Sequence, residues 1–84
     1  MEIKLEFCVV WNYTPRAVGT IEDILEVYGN KVTNIQLIPS GGGVFEFHLN
    51  DKLLFSKKEL GRHSEDGEIL KLIEEELGWI YPLI

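Results

Sequence analysis

A chain of 84 residues with a net charge of −6 and one cysteine is expected to form one small domain, 1–84, with one core and no internal disulfide. Its acidity excludes non-specific binding to nucleic acid, which needs clustered Lys and Arg, and the longest basic run is Lys57-Lys58. It has neither a signal-like apolar start nor a stretch long enough to span a bilayer, and its lone thiol suits a reducing compartment, so no membrane role and a cytoplasmic location are expected.

Residues 2–8 alternate, with Ile3, Leu5 and Phe7 on one face and Glu2, Lys4 and Glu6 on the other, which predicts a strand with one buried face. Thr14-Pro15 reads as an N-cap followed by proline at the first helical position. Val18, Ile21, Leu25 and Tyr28, with Ile24 beside them, recur at helical spacing, while Glu22, Asp23 and Glu26 face water. The helix is predicted to run to about residue 28 and to leave through Gly29-Asn30. Residues 32–38 predict a second strand carrying Val32, Ile35, Leu37 and Ile38, and Pro39 to Gly43 a flexible break.

From Val44 to Asn50 the alternation returns, with Phe45, Phe47 and Leu49 inward and Glu46 and His48 outward. Asn50-Asp51 turns the chain into a fourth strand, 52–56, making a hairpin. A polar connector, 57–63, precedes a second helix opened by Ser64-Glu65-Asp66, whose buried stripe is Ile69, Leu72, Ile73 and Leu77 and whose end is Gly78. The tail, Trp79 to Ile84, is apolar.

The order β-α-β-β-β-α makes the first two strands parallel, joined by a right-handed crossover, and adds an antiparallel hairpin. Because each confident strand has one apolar face, both helices belong on one side and the other sheet face is wet. The expected class is therefore α/β in the broad sense: an α+β two-layer sandwich with a four-stranded mixed sheet.

Three segments in register carry a resemblance. Cys8-x-x-Trp11-x-Tyr13-x-x-Arg16-Ala17, then Pro39-Ser40-x-Gly42-Gly43-x-Phe45-Glu46-Phe47, then Ser56-Lys57-Lys58, resemble the selenoprotein W-like (Rdx) family over about residues 3–77. Its members have a strand ending in Cys-x-x-Cys or Cys-x-x-selenocysteine, a glycine-rich turn before a Phe-Glu strand, and a hairpin leading to a Lys-rich connector. The resemblance implies a thioredoxin-like fold lacking the helix between the second and third strands, and a thiol oxidoreductase role involving glutathione. Cys8 carries over to the first redox position. The second is Trp11, so a dithiol–disulfide cycle within one chain is excluded.

Cys8 is then the candidate nucleophile, placed before a helix N-terminus whose free N–H groups favour a thiolate, with Arg16 as a candidate cation beside it. Trp11 and Tyr13 are candidate binding residues that leave an apolar patch beside the thiol; the alternatives are packing against the first helix for Trp11 and a structural role for Tyr13. Ser40, Gly41, Gly42 and Gly43 are a candidate second wall that offers backbone groups to a peptide or glutathione, the alternative being a plain flexible turn. They precede a strand, with no Lys-Ser/Thr after them, so they are no phosphate loop. His48 and His63 are too scattered to be metal ligands. The expectation is no metal and no bound cofactor, with glutathione as co-substrate. Two functions follow: a one-thiol redox protein, or a non-catalytic interaction module. The expected partner is glutathione or a protein, or a second copy met through a sheet edge or the 79–84 tail.

Overall fold

In the computed structural model, which describes residues 1–78, alternation builds β1 (Glu2–Cys8) with Ile3, Leu5 and Phe7 buried. It pairs in parallel with β2 (Asn34–Ser40) and antiparallel with β3 (Phe45–Leu49), which in turn pairs antiparallel with β4 (Lys52–Ser56). The sheet order is β2-β1-β3-β4. Register explains the core: Ile3 lies between Ile35 and Leu49, Leu5 between Leu37 and Phe47, and Phe7 between Pro39 and Phe45. One apolar face therefore runs across the central strands. Ala17, Ile21, Ile24 and Tyr28 of α1 (Thr14–Tyr28) close over it, as do Ile69 and Ile73 of α3 (Glu68–Leu77), in a single buried cluster. Both long helices thus lie on one face, as the strand pattern requires. The opposite face carries Lys4 beside His48 and Glu6 beside Glu46, all half-buried.

Several boundaries differ from the sequence reading. The N-cap of α1 is Tyr13, not Thr14, because the Tyr13 carbonyl already accepts the Ala17 N–H at 2.9 Å. Pro15 still falls in the first turn, where its missing N–H costs nothing. The buried stripe is Ala17, Ile21, Ile24 and Tyr28; Val18 and Leu25 are half-exposed, because the helix turns its smallest side chain, Ala17, toward the sheet. Strand β2 begins later and runs through Pro39 and Ser40, which pair with Phe7 and Cys8. Proline is tolerated there because β2 is an edge strand with one ladder to satisfy.

The polar connector contains a short helix, α2 (Lys57–Leu60), capped by Ser56 Oγ accepting the Glu59 N–H at 3.0 Å and ended by Gly61 at φ 74°. The last helix starts at Glu68 rather than Ser64, since Gly67 at φ 78° interrupts helical backbone between them. The hairpin turn is as read, with Asn50 and Asp51 both at positive φ. Residues 79–84, for which an apolar tail and a role in self-association are expected, lie outside the described residues. No helix among the described residues is long and apolar enough to cross a membrane.

Glu68 ties the start of α3 to the connector. Its carboxylate takes two bonds from the Arg62 guanidinium, at 2.8 and 2.9 Å, and one from the Glu65 N–H at 2.9 Å. These bonds, the Arg62 ones foremost, pull its pKa from 4.5 to about 2. A carboxylate depressed in the folded state stabilises above its unfolded value, and that contribution disappears as pH falls from 4.5 through about 2. Glu68→Gln is expected to make the acid loss of stability shallower in that window, read by urea unfolding at successive pH values. The pair is exposed and screened by salt, so the difference shrinks at high ionic strength. An acid limb unchanged by the substitution would contradict the pairing.

Candidate functional site

Cys8 ends β1, and both neighbouring segments hold it. It pairs with Ser40 of β2, and its N–H donates to the Val44 carbonyl at 2.9 Å. The following loop folds back on it. The Val9 N–H donates to the Ser40 carbonyl, the Asn12 N–H to the Val9 carbonyl, and the Tyr13 N–H to the Cys8 carbonyl, all at 2.9–3.0 Å. Asn12 makes the reversal at φ 61°, a conformation asparagine tolerates. The loop returns the chain to Cys8 just as α1 begins, and the Trp11 N–H donates to Cys8 Sγ at 3.4 Å. Cys8 itself is 0% exposed. The loop residues are not: Val9, Val10 and Trp11 are 47%, 81% and 60% exposed.

The Trp11 ring lies on Gly43, so close that a Cβ there would come within 2.6 Å of it. Only glycine leaves that space, and Gly43 also sits at φ 72°. A Cβ at Gly41 or Gly42 would meet nothing within 4 Å. Of the three glycines, then, Gly43 alone is fixed by a neighbour. The structure thus brings Cys8, Trp11, Tyr13, Ser40 and Gly43 together, with Gly41 and Gly42 on the open outer part of the loop.

Two residues enter that the sequence did not single out for this site. Lys57, the first residue of α2, places Nζ 5.9 Å from the Trp11 ring centroid and 5.7 Å from that of Tyr13. His63 stands edge-on to Tyr13 at 4.3 Å and to Phe45 at 5.6 Å. Burial pushes the His63 imidazole below its ordinary pKa, and the positive charges of Arg16 and Lys57 add to the effect. Its Nδ1 is buried without a hydrogen-bond partner among the described residues. Arg16 faces this connector, donating from Nη1 to the Ser64 carbonyl at 3.3 Å. The family pattern sets Ser56-Lys57-Lys58 in register with the Cys8 segment, but no spacing gives Lys57 or His63 a place beside residue 8. The hairpin and the sheet order do so.

A groove of about 440 Å³ lies elsewhere, between α1 and the start of α3, with Arg16, Glu22, Asp23, Glu65 and Asp66 in its walls. Cys8 does not line it. Among the described residues no three His, Cys, Asp or Glu side chains are grouped closely enough to hold a metal ion.

The Rdx family model matches residues 2–75. A protein of Bordetella parapertussis superposes with a TM-score of 0.83 at 23% identity, over 89% of this chain and 95% of that one. A selenoprotein W-related protein from Vibrio cholerae gives 0.83 at 20% identity, over 90% of this chain and 95% of that one. At such identities the superpositions speak for the fold, which is thioredoxin-like. No curated protein matches the chain.

Proposed function

This chain belongs to the Rdx family, and from that premise we propose that it is a one-thiol redox protein whose Cys8 forms mixed disulfides with glutathione or a partner protein. A redox-related function comes with the family; the one-thiol form is this reading's own. One observation carries it. Trp11 stands where a second redox residue would, yet its backbone N–H still points at Cys8 Sγ, 3.4 Å away. A backbone donor that can meet charge on the first sulfur is therefore present without a second thiol.

The chemistry is thiol–disulfide exchange. The Cys8 thiolate attacks one sulfur of glutathione disulfide, forming a new S–S bond as the old one breaks, and the other glutathione leaves as a thiolate that takes a proton from water. A second thiolate, from glutathione or a partner protein, then attacks the glutathione sulfur and releases Cys8. The chain has no second cysteine to resolve the intermediate itself. Since Cys8 is fully buried, attack requires the 9–13 loop to open.

That burial also favours a second reading, an interaction module in which exposed Val9, Val10 and Trp11 form the docking surface. Of the two edge strands, β2 and β4, β2 exposes Leu37 and Ile38, and a second copy would pair there. Reaction with glutathione disulfide at increasing urea, read by intact mass, separates the two. The one-thiol reading expects one adduct per chain, absent in Cys8→Ser, and a rate independent of urea well below the unfolding midpoint, the mark of local opening. A rate that tracks global unfolding at every urea concentration would overturn it and leave the module.

A further inference from the structure

We propose that Lys57 is a carboxylate anchor beside Cys8, which makes the site selective for anionic thiols and disulfides over neutral or cationic ones. This rests on the one-thiol reading and names its substrate class. Lys57 extends over both aromatic rings of the loop whose backbone bonds the Cys8 sulfur. Arg16 meets the connector beyond α2, donating to the Ser64 carbonyl at 3.3 Å, and together with Lys57 bears on His63.

Lys52 pairs with Glu76 at 2.8 Å and Arg62 with Glu68 at 2.8 Å, whereas Lys4, Lys31, Lys58 and Lys71 have no ion pair among the described residues; what sets Lys57 apart is its place over the Trp11 and Tyr13 rings. Among the described residues, neither Lys57 nor Arg16 has a carboxylate within 4.0 Å. Glu46, which the β3–β4 ladder sets opposite Ser56 at the base of α2, is already engaged. It accepts from the Ser56 hydroxyl and from the Phe45 and Lys58 N–H groups. Lys57 thus stands as an unpaired cation over the loop that covers Cys8, in a chain whose net charge is −6. The exposed Trp11 ring gives the ligand's stem an apolar surface, and Lys57 above it meets the ligand's carboxylate.

The net charge alone orders disulfides the other way, cationic before neutral before anionic. That contrast makes the test sharp. Cys8 modification is timed with glutathione disulfide, hydroxyethyl disulfide and cystamine, each rate divided by that of the urea-unfolded chain. The expected order is anionic, neutral, cationic. Lys57→Gln should lower the anionic-to-cationic ratio about two- to five-fold, the weight of one exposed ion pair, and Lys57→Arg should restore it. A ratio favouring cystamine and unmoved by Lys57→Gln overturns the anchor while leaving the one-thiol reading intact.

Should no disulfide modify the folded chain, the one-thiol reading fails and S-methylglutathione, which cannot exchange, decides the anchor alone. Displacement of the His63 imidazole signals in NMR, lost in Lys57→Gln, supports it. Signals that stay put overturn it.

Discussion

Phe47→Ala is expected to destabilise the chain by about 3–5 kcal/mol, the usual cost of emptying a fully buried phenylalanine site. A chain of this length holds on the order of 4–13 kcal/mol in total, so the variant loses much of its stability and, at the low end, does not fold. Phe47 is 0% exposed and lies across from Leu5 on β1 and Phe55 on β4. Removing its ring opens a void between two strand pairs, and the helices above cannot settle into it without breaking contact with Ile3 and Leu49. Leu53, on the edge strand and exposed, is the control, with Leu53→Ala expected to cost less than about 1 kcal/mol. Urea unfolding followed by far-ultraviolet circular dichroism gives both values. Similar losses in the two variants would mean that β3 is not the centre of the core.

The strands were legible because side-chain alternation and one-sided burial are the same fact seen twice. Ile3, Leu5 and Phe7, and likewise Phe45, Phe47 and Leu49, could be assigned to an inner face from sequence, and register then places them opposite one another. Helix phase was less legible. Val18 and Leu25 are as apolar as Ile21 and Ile24, and only the tertiary fit decides that Ala17 rather than Val18 meets the sheet. Helix starts depended on backbone details that composition hides, such as the Gly67 conformation that delays α3. Within the candidate site, the strand–loop–helix around Cys8 was readable because it is local. Lys57 and His63 were not, since they reach it from the far end of a hairpin. The β2–β3 loop lay between these cases: its glycines were visible, but the ring that singles out Gly43 was not.

Gly43→Ala tests that ring and what it does for the thiol. Gly43 sits at φ 72°, where a side chain costs about 1–2 kcal/mol, and the new methyl would overlap the Trp11 ring. Trp11 is on the surface, so the ring moves before the core does. The expected result is a loss of about 1–3 kcal/mol with a red shift of the emission that Trp11→Phe removes. A double-mutant cycle divides the two causes. With Trp11→Ala in place the overlap disappears while the backbone strain stays, so the combined loss falls short of the sum.

The consequence for Cys8 follows from the loop. Trp11 bonds the sulfur through its N–H and rests on Gly43 through its ring, so lifting the ring loosens the segment that buries the thiol. Gly43→Ala should therefore react faster with glutathione disulfide at low urea, with no change in the unfolded-state rate. An unaltered low-urea rate would show that the ring lies on Gly43 without holding the loop closed, and that the backbone bonds from Val9, Asn12 and Tyr13 alone keep Cys8 covered.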